Sequence, residues 1–74
     1  MNPTMREFSV IIEQDEDGWF IATVPELPGC HTQAKSMDKL LVRAREAIGL
    51  CLEVSKDAGH GHQFVGVQRV TVDR

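Results

Sequence analysis

The sequence predicts a small α+β domain of order β-β-β-α-β, a small mixed sheet with one helix packed on one face. Three observations predict it. Two runs rich in Val, Ile and Phe flank a DEDG turn signal, one long segment carries apolar residues at helical spacing, and a short VQRVTV run comes last. A chain of 74 residues is expected to be one domain, residues 1–74. Such a chain buries only about 60% of its unfolded surface. Small folds offset so thin a core with disulfides, a metal, or association with another chain.

Residues 6–14, REFSVIIEQ, read as the first strand. DEDG at 15–18 is a turn, because Gly18 tolerates positive φ and Asp17 readily visits the left-handed region. WFIATVP at 19–25 is the second strand, paired with the first as a hairpin. PELPGC follows at 25–30. Each proline fixes φ and removes a backbone donor, and Gly29 frees the chain to bend. The stretch therefore ends a strand and turns. A short third strand is read at 30–34, CHTQA.

Ser36 is a helix N-cap, and Asp38 sits in the first turn, where the helix dipole favours negative charge. From Met37 the apolar positions are 37, 40, 41, 44, 47, 48, 51 and 52, one broad helical stripe. Lys39, Arg43, Glu46, Glu53 and Lys56 fall mostly on the other side. Gly59 suits the C′ position, so the helix is predicted over 37–58. HGHQFVG at 60–66 reads as a loop and VQRVTV at 67–72 as the last strand.

Taken as an even-length turn, DEDG puts Phe8, Val10 and Ile12 on one sheet face with Trp19 and Ile21. The opposite face then carries Ile11, Phe20, Ala22 and Val24, diluted by Ser9 and Glu13. Both faces are apolar on this reading, and one helix covers only one of them. An uncovered apolar face marks an interface. The expected partner is a second copy of the chain, as a homodimer or higher oligomer. The interface candidates are Ile11, Phe20, Ala22, Val24, Glu26 and Leu27. The rival expectation is that the 60–66 loop folds over the second face.

Chemistry is sparse. Two cysteines, Cys30 and Cys51, are too few for a disulfide scaffold, and MNPTM is no signal peptide. No run approaches the roughly 20 apolar residues of a membrane span. A cytoplasmic protein with reduced thiols is expected. The net charge of −3, with scattered basic residues, argues against direct nucleic-acid binding. Cys30, His31, His60 and His62 include no paired CxxC or HxxxH, so neither a metal nor another cofactor is expected. Cys30 and His31 are strand neighbours pointing to opposite faces, which disfavours a nucleophile–base pair. Cys51 lies on the apolar stripe and reads as core.

Glu13, Asp15, Glu16 and Asp17 crowd the hairpin tip. Carboxylate clusters hold divalent metals in nucleases, but a tight turn splays these side chains outward. They read as a solvated tip and as an electrostatic handle for a basic partner. Ser36-Met37-Asp38-Lys39 matches the S-x-x-K pattern of penicillin-binding enzymes, yet the other motifs are absent and Ser36 reads as a cap. Lys35, Lys39, Arg43 and Arg45 read as a solvated helix face, with Glu46 one turn from Arg43.

With these pieces placed, the chain resembles the HicB-like antitoxin family. The resemblance rests on FIATVPELPGC at 20–30, then His31 and Thr32, then a helix whose middle reads R-E-A with Glu46 and Ala47. It runs from about residue 6 to 72, and PELPGC is its most specific part. Three positions depart from the family pattern: Ala34 stands near the usual Gly, Ser36 for the capping Thr, and Lys39 for a common acidic residue. Many relatives carry a C-terminal DNA-binding segment, whereas this sequence stops at Arg74, so operator binding is not expected of it.

The resemblance implies a truncated ribonuclease H-like fold with the last strand beside the first. It implies a protein that oligomerises and neutralises a small basic mRNA-cleaving toxin of HicA type by covering its active surface. A non-enzymatic role is expected, because strands 8–12 and 19–24 lack the central carboxylates of the nuclease fold. Two rivals stand beside it: an orphan oligomeric scaffold or regulatory module without a toxin, and a residual metal-dependent nuclease at the acidic tip.

Overall fold

The hairpin loop sets the geometry of the sheet. The computed structural model describes residues 6–54 and 63–74. In it, the Asp15 N–H donates to the Trp19 carbonyl at 2.9 Å, and the Gly18 N–H donates to the Asp15 carbonyl at 3.1 Å. Asp15 Oδ1 accepts the N–H groups of Asp17 (3.0 Å) and Trp19 (2.9 Å). Three residues, Glu16 to Gly18, thus lie between the paired positions 15 and 19. Gly18 closes this loop with φ 87°, the left-handed value such a loop requires.

The loop is odd in length, not even, and that corrects the expected faces. Strand β1 (Ile11–Gln14) pairs antiparallel with β2 (Phe20–Thr23), Ile12 opposite Ala22 and Glu13 opposite Ile21. Even-numbered residues of both strands therefore share a face. Phe8, Val10, Ile12, Phe20, Ala22 and Val24 fall on one side together. The other side receives Ile11, Trp19 and Ile21 among Ser9, Glu13 and Thr23. The sheet is strongly apolar on one face and mixed on the other, not apolar on both.

Strand β3 (His31–Ala34) pairs antiparallel with β2, with Ala22 opposite Thr32, giving the order β1-β2-β3. The strands are shorter than the sequence predicts, and the sheet is antiparallel rather than mixed. The fourth strand at 67–72 is not formed. Among the described residues 63–74 there is no strand, and Val65, Val67, Val70 and Val72 are 69–93% exposed. Alternation alone does not make a strand, since ladder hydrogen bonds need a partner edge. The last predicted helical turn, Gly59, His60 and His62 lie outside the described residues.

Helix α1 (Met37–Val54) starts where the sequence places it. Ser36 Oγ accepts the Lys39 N–H at 3.3 Å, and the Ser36 carbonyl accepts the Leu40 N–H at 2.9 Å. Leu40 and Ala44 bury against Ala22 and Ala34, with Phe20 and Val10 alongside. Three alanines at this crossing let backbone approach backbone, and they draw α1 over β3 and β2. Among the described residues α1 does not pack on β1. A second cluster, Val24, Leu27 and Cys30, fills the space beneath Ala47, Ile48, Cys51 and Leu52.

Substituting Gly18→Ala adds a Cβ that meets no atom within 4 Å. The left-handed backbone alone should then cost about 1–2 kcal/mol. Chemical denaturation checks this, and an unchanged midpoint would mean that position 18 does not need the left-handed backbone.

Candidate functional site

The corner at 25–30 is built by exhaustion of the β ladder. Pro25 has no N–H, so the chain must turn. The Leu27 N–H donates to the Val24 carbonyl (3.1 Å), the Cys30 N–H to the Leu27 carbonyl (2.9 Å), and the Val24 N–H to the Cys30 carbonyl (3.0 Å). Gly29, at φ 83°, completes the return. Glu26 reaches the segment before β1, its carboxylate accepting the Ser9 N–H at 3.0 and 3.2 Å. The corner's side chain thus fixes the segment that leads into β1.

The hydrogen-bonded loop aims Leu27 inward. It is 2% exposed, among Phe8, Val10, Ile48 and Leu52. Cys30 is buried beside it, on the face opposite exposed His31. Burial, and secondarily the neighbouring Cys51 thiol, pushes the Cys30 thiol up to about 12. A thiol held protonated is not a nucleophile at neutral pH.

The structure disperses the expected interface residues. Ala22, Val24 and Leu27 are core, not surface: the odd loop turns Ala22 and Val24 toward the helix, and the hydrogen-bonded corner turns Leu27 inward. Phe20 is half-buried against the first cluster, and Glu26 is engaged with Ser9. Ile11 remains half-exposed on the uncovered face, where Ile21 and Trp19 join it. There Lys35 Nζ lies 4.7 Å from the Trp19 ring centre and donates to the Asp17 carbonyl at 3.1 Å. At the acidic tip the Asp15 carboxylate is spent on loop N–H groups. Among the described residues no three His, Cys, Asp or Glu side chains converge to hold a metal.

A different surface emerges where α1 leaves β1 uncovered. A groove of about 460 Å³ runs between the segment entering β1 and the helix. Phe8 and Val10 form one wall, and Leu41, Ile48 and Leu52 the other, with Arg6 and Arg45 at the rim. Leu41 is 46% exposed although it belongs to the apolar stripe. The width of that stripe is the sequence signal for this groove, because it exceeds what a helix set over β2 and β3 can bury. Arg43, on the helix's other flank, donates to the Gln33 carbonyl at 2.8 Å.

Residues 8–69 match the model of a family described as the HicB-like antitoxin of bacterial toxin–antitoxin systems. A UPF0150 protein of Archaeoglobus fulgidus is 56% identical over 66 residues, covering 89% of this chain and 94% of the relative. A UPF0150 protein of Synechocystis sp. is 43% identical over 67 residues, covering 90% of this chain and 96% of the relative. A third, of Thermotoga maritima, is 30% identical over 74 residues and covers 99% of both chains. No solved structure matches the chain.

Two measurements test this geometry. Leu27→Ala should lose about 2–5 kcal/mol in chemical denaturation, as for a large core residue. A loss under about 1 kcal/mol would take the corner's leucine out of the core. Because the folded Cys30 pKa is raised, its contribution is complete below the ordinary thiol value of about 8.5. Stability should fall as pH rises from there toward about 12, and Cys30→Ala should flatten that fall; an identical profile in the variant would contradict the assignment.

Proposed function

This chain belongs to the HicB-like antitoxin family of bacterial toxin–antitoxin systems, and from that membership we propose that it is the neutralising, non-enzymatic half of such a pair. Its target is a small basic mRNA-cleaving toxin of HicA type, which it inhibits by covering the active surface, and it acts as a homo-oligomer in the cytoplasm. The observation that carries the reading is the family match across residues 8–69, nearly the whole described body. Three features support it. The net charge is −3, Glu13, Glu16 and Asp17 stand exposed at the hairpin tip, and Asp15 holds that tip rigid. A preorganised acidic tip suits a basic nuclease, since complementary charge speeds and orients encounter. Both described cysteines are free thiols, which accords with a reducing compartment. In the described residues no helix is long and apolar enough to cross a membrane. The β-β-β-α body is, on this proposal, a truncated ribonuclease H-like core that lacks only its strand beside β1.

The reading requires a small basic reading frame beside this chain's own gene, and co-expression with it is the test. The two chains should co-purify, and RNA cleavage by the partner should fall to background when this protein is added. Undiminished cleavage would refute the antitoxin role. Glu16→Lys with Asp17→Lys, which leaves Asp15 and the loop intact, should slow association about tenfold or more at low salt. An unchanged rate would remove the tip from the toxin contact.

A further inference from the structure

Two unsatisfied features of the fold have the same shape. One is an edge. Asp15 and Trp19 form a hydrogen-bonded pair across the hairpin. By the alternation of an antiparallel ladder, the odd residues of β1 bond to β2 and the backbone groups of Ile12 and Gln14 point away from it. The neighbouring groove is open and apolar, and Ile12 is 39% exposed beside it. The other feature is the tail. Val70 and Val72 sit two apart, the spacing that puts both on one face of a strand, and are 78% and 69% exposed. Neither belongs to a core cluster.

We propose that residues 67–72 of one copy add as a strand to the β1 edge of a second copy and seat Val70 and Val72 in the groove, reciprocally. This rests on the self-association in the function proposed above and specifies how it is made. The lengths agree. Six strand residues span roughly 20 Å, and the helical wall from Leu41 to Leu52 rises roughly 17 Å. The occupant is a second copy because within one copy the tail valines stay exposed and belong to no core cluster, and no tail residue lines the groove. A two-fold exchange satisfies both features twice and closes the assembly. It also covers the exposed edge, which otherwise invites open-ended pairing.

The test mixes full chain labelled with ¹³C and ¹⁵N with unlabelled full chain and reads isotope-filtered NOEs. Methyl contacts from Val70 and Val72 to Leu41, Ile48 or Leu52 between differently labelled copies are expected. The double variant Val70→Asp, Val72→Asp should weaken self-association at least about 100-fold by light scattering, with helical circular dichroism unchanged. If that variant fails to fold, the filtered NOEs of the unaltered chain still decide. Tail-to-groove NOEs confined to one copy overturn the exchange in favour of closure within the chain. A dimer with no tail-to-groove NOE overturns it while self-association survives. A monomer overturns both, and inhibition of the toxin, measured separately, then stands or falls alone.

Discussion

Asp15 and Gly18 together decide which side chains are inside this protein. The aspartate gathers two N–H groups on one carboxylate oxygen, and its own carbonyl and N–H close the loop. Gly18 supplies the left-handed step. Because the loop so formed is odd, every apolar even-numbered residue of the hairpin comes to one face. A loop one residue longer or shorter would split that set between core and water. The alanine-rich crossing, the inward leucine of the corner and the seat of α1 all presuppose this parity.

The corner and the helix then divide the core between them. Leu40 and Ala44 meet the small residues of β2 and β3, so the front half of α1 sits close to the sheet. The rear half has no strand beneath it, and Leu27 with Val24 and Cys30 fills that space. PELPGC is thus a piece of core carried on a turn, tied to the segment before the first strand through Glu26 and Ser9. Its cysteine is spent on packing. A helix seated over two strands of three leaves the third with a bare flank, and that flank is where an interaction protein of this size has surface to offer.

Much of this was legible in the residues. The hairpin, the corner, the Ser36 cap and the helix start all follow from local chemistry, which neighbours in sequence dictate. The uncovered face differs from the expected one for a definable reason. Turn composition alone does not distinguish a two- or four-residue loop from a three-residue one, and parity depends on that single count. Ala22 and Val24 consequently lie in the core rather than on the expected open face. The valines at 67–72 have strand spacing, but pairing depends on an edge distant in sequence, which alternation does not reveal. The groove lies between elements, and only the excess width of the helical stripe, Leu41 above all, hinted at it.

Amide hydrogen exchange along β1, read against protein concentration, tests most directly whether the bare edge is completed by another copy. The odd-numbered amides of Ile11 and Glu13, which bond to β2, should be protected at every concentration at which the chain is folded. The amide of Ile12, which faces outward, should gain protection as concentration rises and the edge is covered. An Ile12 amide that exchanges freely at all concentrations, or is equally protected at all of them, would contradict the account.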